Sequence, residues 1–212
     1  MEGNILNTKK KMKNKIKEHF DVISKDYDRY KEKNKFYYRA LKKILMKEVG
    51  KGKRILDVGC GTGELLDFLE PSYGLGIDVS EGMINEARKK YKKGNLKFEV
   101  GDAENLKKGE YDFILLIDVV EHLGDVRKVF NELRKFDSKI LVSFINPIFE
   151  PGLIIMEKLK MKLPEGPHDR LSVREMKKIF RENKFEILKE RNELYGLIKY
   201  FVIKNEIYKR EL

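Results

Sequence analysis

A chain of 212 residues is long enough for about one domain with a small appendage, and 41% hydrophobic with 10% aromatic residues supplies a core that argues against wholesale disorder. The single cysteine, Cys60, excludes an intrachain disulfide framework and a multi-cysteine zinc site, and no apolar run approaches the ~18 residues of a membrane span. The net charge of +11 lies wholly in the first quarter, where residues 1–54 hold 18 basic and 7 acidic residues while the remainder balances.

Two readings of that excess stay open: a solvated lysine-rich face, or a landing surface for an anionic partner such as a lipid headgroup, an acidic carrier or nucleic acid. The first residues (MEGNILNTKKKMKNK) lack an apolar signal core, so a cytoplasmic location is the expectation. Residues 1–15 carry five lysines and little apolar surface, and are expected to add charge rather than packing.

From Lys9 to about Met46 the pattern is helical, with Ile16, Phe20, Ile23, Tyr27 and Tyr30 on the apolar side. A second helical stretch, Phe36 to Glu48, turns Tyr37, Leu41, Ile44 and Leu45 inward, and Gly50 and Gly52 end it. The texture then changes to short apolar strands alternating with amphipathic helices. Strands are predicted at Arg54–Val58, Gly74–Val79, Leu96–Val100, Tyr111–Asp118 and Lys139–Ile145. Helices are predicted at Glu64–Leu69, Glu81–Lys92 and Val126–Phe136.

The alternation then lapses. Glu150–Leu163 reads as an apolar-rich helix, and Pro164–Arg170 as a loop. Ser172–Asn183 reads as a helix opened by a Ser172–Glu175 capping box, and Phe185–Asn192 and Ile198–Ile207 as an antiparallel closing pair. The sum is α/β: a doubly wound, mostly parallel seven-stranded sheet with an N-terminal helical cap over residues 1–50 and a main body over 51–212.

The strongest motif is Ile55-Leu-Asp-Val-Gly-Cys-Gly-Thr-Gly63 at the end of the first strand. Its glycines permit a sharp turn and a close approach of ligand to backbone. Asp78 ends the second strand 21 positions after Asp57, the spacing at which a carboxylate in such folds holds ribose hydroxyls. A dinucleotide fingerprint would need a third glycine at position 64, where Glu64 stands and disfavours a phosphate at the helix N-terminus. The loop therefore suits a nucleoside ligand without phosphate. S-adenosylmethionine, whose amino group and sulfonium are positively charged, is one.

Residues 55–63 (ILDVGCGTG), 76–80 (GIDVS), 101–103 (GDA) and 111–122 (YDFILLIDVVEH) resemble, in order and spacing, the motifs of class I S-adenosylmethionine-dependent methyltransferases. The likeness spans roughly residues 16–190 and points to the ubiquinone/menaquinone-methyltransferase-like branch (methyltransferase type 11/12) and a Rossmann-like methyltransferase fold. It implies that Asp57, Gly59, Cys60 and Gly61 line the methionine part of the cofactor, whose product is S-adenosylhomocysteine. It further implies that Asp78 with Val79 grips the ribose, Met83 packs on the adenine, Asp102 and Ala103 meet its edge, and Asp118 lies beneath the methionyl group. Phe20–Asp28 is similar to the lid helix of that branch, where Tyr27 would close over the cofactor; the alternative is a core aromatic.

His122 follows the fourth strand at the carboxyl edge, where ligands bind in open α/β sheets, and histidine is suited to take a proton near neutral pH. Asp118, Glu121 and His122 would share a face if helical, which leaves metal ligation or capping open beside the role of base; no residue is assigned to a metal. The segment 147–171 resembles a substrate-cap insertion, and its His168 is expected to order the acceptor. Cys60 carries no redox role in this reading, and His19 is expected to be exposed. The stripe Leu153, Ile154, Ile155, Met156, Leu159, Met161 and Leu163 suits core packing, lid closure or a greasy entrance.

The function expected is methyl transfer to a small-molecule or lipid/glycan-like, anionic acceptor, at oxygen because a base is at hand. The alternatives are an RNA methyltransferase, or a non-catalytic S-adenosylmethionine-binding protein. Nucleic acid is the less favoured partner, since no RNA-binding module is recognisable, and peripheral membrane contact stays open.

Overall fold

The computed structural model describes residues 2–158, 166 and 168–209. The expected first helical stretch is broken into α1 (Glu2–Ile23) and α2 (Tyr27–Lys33), followed by α3 (Lys35–Glu48). Neither glycine nor proline marks the break. It is made by tertiary contact: Asp21 Oδ1 accepts from Ser80 Oγ at 2.6 Å and from Gly82 N at 2.9 Å, while Ser24 Oγ folds back onto Asp21 O.

The alternating part follows as β1 (Arg54–Val58), α4 (Glu64–Phe68), β2 (Tyr73–Asp78), α5 (Glu81–Lys90), β3 (Leu96–Val100), β4 (Phe113–Ile117), α6 (Val126–Leu133) and β5 (Lys139–Ile145). Then come α7 (Glu150–Lys158), α8 (Val173–Glu182), β6 (Phe185–Glu193) and β7 (Ile198–Asn205). The strands form one seven-stranded sheet in the order β3-β2-β1-β4-β5-β7-β6. β1 to β5 run parallel, and β7 pairs antiparallel with both β5 and β6.

Alternate residues of each strand face opposite layers. Ile114 and Leu116 of β4 join Val129 and Phe130 of α6 and Met176 and Phe180 of α8 on one side. Phe113 and Leu115 join Leu41 and Leu45 of α3, Leu66 of α4 and Ile84 and Ala87 of α5 on the other. Both faces are covered, as near-continuous apolar strands require. The capping box at the start of α8 forms, with Ser172 Oγ accepting from Glu175 N and the Glu175 carboxylate accepting from Ser172 N.

Because β1, β2 and β4 are parallel and adjacent, their carboxyl ends open on one edge at the point where strand order reverses. The glycine loop after β1, Asp78 after β2 and Asp118 after β4 therefore converge there. Among the described residues, no helix is long and apolar enough to cross a membrane.

Candidate active site

The loop after β1 is fixed to β2 by its own backbone: Gly59 N and Cys60 N both donate to Ile77 O, at 2.8 and 3.0 Å. Gly59 has φ +76°, and a Cβ there would stand 2.3 Å from Val119 Cγ2, so both the conformation and the space demand glycine. Gly61, at φ +53°, turns its bare face to the Tyr27 ring, 3.5 Å from where a Cβ would be. Its N–H donates to Asp78 Oδ2 at 2.9 Å, and Ser80 N donates to Asp78 Oδ1 at 2.9 Å. The Asp78 carboxylate is thus oriented by two backbone donors, while burial pushes its pKa up.

Around this loop lies a cavity of about 1040 Å³ including its open mouth, a size suited to a small molecule. Its wall carries Tyr27, Gly59, Cys60, Gly61, Asp78, Val79, Met83, Asp102, Ala103, Asp118 and His122. The Cys60 thiol is buried and its pKa is raised by that burial, which leaves it protonated and inert near neutral pH.

Asp57 is not on the wall, against the expectation that it lines the methionine part. It lies beneath the loop, 3% exposed, and burial with the nearby Asp78 charge pushes its carboxyl up to about 7. His168 is not on the wall either. Its Nε2 meets Glu150 Oε1 at 3.1 Å and its Nδ1 meets Gly166 O at 2.9 Å. Its ring stands edge-on to His122 with centroids 6.1 Å apart, so it backs the wall residue rather than facing the cavity.

Asp118 adopts φ +54°, a left-handed conformation that costs energy outside glycine and is held by its surroundings. Tyr37 Oη donates to Asp118 Oδ2 at 2.7 Å, and Ser143 Oγ donates to Oδ1 at 3.0 Å. Val120–His122 forms a 3-10 turn, so Asp118, Glu121 and His122 do not share an α-helical face. Glu121 is turned away and accepts from Arg170 Nη1 at 2.7 Å. Arg170 Nε also donates to Glu150, tying α7 and the following loop to the sheet edge. Burial raises the Glu150 pKa, but hydrogen bonds from His168 and Arg170 outweigh it and hold the carboxyl low. Among the described residues no group of histidine, cysteine and acidic side chains is arranged to hold a metal.

The N-terminal helices supply further wall residues, of which only Phe20 falls in a stretch singled out by the sequence as a lid. Lys13, Ile16 and Phe20 of α1, Lys31 of α2, and Tyr38 and Leu41 of α3 all line the cavity. Lys13 Nζ hydrogen-bonds Asp102 on that wall, so residues 1–15 contribute more than charge. Lys31 is 9% exposed, with its Nζ 3.1 Å from Thr62 Oγ1, 3.3 Å from Glu64 Oε2 and 3.6 Å from Asp28 Oδ1. The ammonium also lies over the Tyr27 and Tyr38 rings, at 4.9 and 5.5 Å. Burial lowers its pKa, a shift partly countered by Glu64. The same burial raises Tyr27 to about 12.

His19 is half-buried rather than exposed. It stacks edge-on against Phe20 at 5.2 Å, and its Nε2 is buried without a hydrogen-bond partner among the described residues. Of the apolar stripe after β5, Leu153 is half-buried and Ile154 is 45% exposed, while Leu159, Met161 and Leu163 lie outside the described residues.

Comparison with known proteins adds to this geometry. The methyltransferase domain family matches residues 55–136. An uncharacterized protein of Methanocaldococcus jannaschii is 41% identical over 78 residues, 37% of this chain and 30% of that protein. The ubiquinone biosynthesis O-methyltransferase of Coxiella burnetii is 32% identical over 131 residues, 56% of each chain. The chain thus spans less than two thirds of the length of the curated relatives it matches. Magnesium protoporphyrin IX methyltransferase of Synechocystis, solved with S-adenosylhomocysteine bound, superposes with a TM-score of 0.69 at 19% identity, covering 92% of this chain and all of that one, a likeness of fold. Residues 55–136 thus match the methyltransferase domain family, and the sheet they belong to shares its fold with that solved methyltransferase.

Proposed function

We propose that the chain transfers a methyl group from S-adenosylmethionine to the oxygen of a small-molecule acceptor. The observation that carries this reading is the glycine loop locked to β2, with Asp78, Asp102 and Asp118 on one wall and Met83 buried between them. That wall fits the cofactor. Bare backbone at Gly61 admits a ligand under Tyr27, Asp78 is preset by two amides to accept from hydroxyls, and the apolar Met83 and Val79 suit a purine. The first turn of α4, where a phosphate would sit in a dinucleotide site, is filled by Glu64 paired with Lys42 at 2.7 Å.

When bound, the cofactor supplies a methyl group on a positively charged sulfur, open to in-line displacement by a nucleophile. The chain's part is to bind, orient and exclude water. Asp78 holds the ribose, Asp102 the adenine edge, and the buried Lys31 ammonium meets the ligand's carboxylate. Asp118, fixed by Tyr37 and Ser143, sets the floor beneath the methionyl group. His122 lies on the wall between the rings of Phe20 and His168 and accepts the acceptor's proton. The cap of residues 1–50 covers the cofactor. Arg170, paired with Glu121 and Glu150, holds residues 168–170 against the start of α7 beside the acceptor side of the wall, with His168 positioning His122.

A labelled-methyl screen against quinone-precursor, glycolipid, acyl-carrier and tRNA pools tests the reading. Methyl transfer to a hydroxyl-bearing small molecule, lowered ~10²- to 10⁴-fold in kcat by His122→Ala with cofactor affinity kept, is expected. Transfer to RNA alone, or a fully active variant, overturns it.

A further inference from the structure

Helices α2 and α3 present two different faces. Inward they deliver Lys31 and Tyr38 to the cavity and Tyr37 to Asp118. Outward, directly beside Tyr37, Phe36 stands 66% exposed. Lys35 Nζ and Arg39 Cζ flank its ring, 5.8 and 5.7 Å from the centroid. Six residues earlier, on α2, the half-buried Tyr30 is flanked in the same way by Arg29 at 5.7 Å and Lys33 at 5.5 Å.

The charges of this stretch divide along the same line. Lys31 and Lys42 turn inward to Glu64. Lys33, Lys35, Arg39 and Lys43 are exposed, and among the described residues none has a carboxylate within ion-pair distance. Since residues 55–212 balance in charge, these cations belong to the whole excess of +11. Further apolar groups stand in water where β5 ends and β7 begins, at the same carboxyl edge: Ile148 is 76% and Tyr195 fully exposed. Tyr195 is held out on a turn whose φ of +55° is unusual for a tyrosine.

We propose that this face of α2 and α3 docks on an anionic lipid bilayer, with Phe36 entering the headgroup layer and the flanking cations meeting lipid phosphates. Aromatic side chains bracketed by lysine and arginine on a helix surface are built for such an interface, because the ring gains an apolar environment while each cation gains a counter-charge. A nucleic acid in solution could meet the cations and stack on a ring, but it offers no apolar layer for the aliphatic Ile148. The bilayer uses the cations and the apolar groups together. The helices that present this face also deliver Lys31 and Tyr38 to the cavity wall, so docking would hold the site close to an acceptor dissolved in lipid. That last consequence rests on the methyltransferase reading; the docking itself does not.

The test is co-sedimentation of the full chain with vesicles of phosphatidylcholine alone and of phosphatidylcholine mixed with phosphatidylglycerol. Binding to the anionic vesicles only, weakened by salt, is expected. The double substitution Lys35→Gln/Arg39→Gln should lower the partition coefficient roughly 30-fold. Phe36→Ser should lower it while leaving the salt dependence in place. Titration with S-adenosylhomocysteine serves as the fold control, and unchanged ligand affinity in each variant is the expected result. No binding, equal binding to neutral vesicles, or variants that bind vesicles like the parent but lose affinity for tRNA each overturns the proposal. Failure of every protein, parent included, to bind S-adenosylhomocysteine would instead overturn the cofactor reading and leave the vesicle result standing.

Discussion

Replacing Lys31 with methionine removes one buried ammonium and keeps a side chain of similar length against the Tyr27 and Tyr38 rings. Two costs follow, and they separate by assay. The first is stability. Removing one partner of a buried ion pair costs about 3–5 kcal/mol where the other charge is stranded. Here Glu64 keeps Lys42 at 2.7 Å and its side chain is 29% exposed, so the loss should shrink to about 1–2 kcal/mol. The second is ligand binding. A charge-assisted hydrogen bond to a carboxylate is worth about 1.5–3 kcal/mol, or roughly 10- to 150-fold in affinity. S-adenosylhomocysteine carries that carboxylate and 5′-methylthioadenosine does not. Calorimetric titration of both ligands into Lys31→Met should therefore show the first weakened by that factor and the second changed less than about two-fold. Equal weakening of both would mean that Lys31 only braces the pocket, and the carboxylate assignment would be refuted.

Three further substitutions probe the loop and its floor. Asp57 has a folded pKa of about 7, above the ordinary carboxylate value, so its contribution favours folding at low pH and is lost as pH rises from about 4 through about 7. Asp57→Asn should match the parent near pH 4 and exceed it by roughly 4 kcal/mol near pH 8 in denaturant unfolding; a difference that does not vary with pH would contradict this. Gly59→Ala should cost about 2–4 kcal/mol from the φ of +76° and the 2.3 Å clash with Val119, and adding Val119→Ala should recover the clash but not the strain. A loss under about 1 kcal/mol would show that the loop can shift. Tyr37→Phe should lower stability by about 1 kcal/mol through the lost bond to Asp118, and an unchanged melting temperature would mean water replaces it.

The central strands were legible because each is a short apolar run buried on both faces, and β4 reads Phe-Ile-Leu-Leu-Ile without interruption. The glycine loop, Asp78 and Asp102 reach the cavity wall for a related reason: they sit at or just past strand ends, where spacing along the chain maps onto position at the sheet edge, and Met83 follows in the first turn of α5. Asp57 shares the motif but is buried and absent from the cavity wall, a difference that spacing along the chain does not carry. Lys31, Tyr37 and Tyr38 reach the site from helices packed over it, by contacts 31 to 81 positions apart in the case of Thr62 and Asp118. The link from Arg170 to Glu121 spans 49 positions and depends on the 3-10 turn at Val120–His122. Such side chains look like ordinary cap or loop residues until the packing is known.

The account stands most directly on one titration of the unmodified chain, with S-adenosylhomocysteine and NAD compared in the same buffer. Glycines without the third dinucleotide position, Glu64 across the first turn of α4 and Asp78 preset by Gly61 and Ser80 predict micromolar or tighter binding of S-adenosylhomocysteine, about −8 kcal/mol, with no saturable NAD binding. Tight NAD binding without binding of S-adenosylhomocysteine would contradict it.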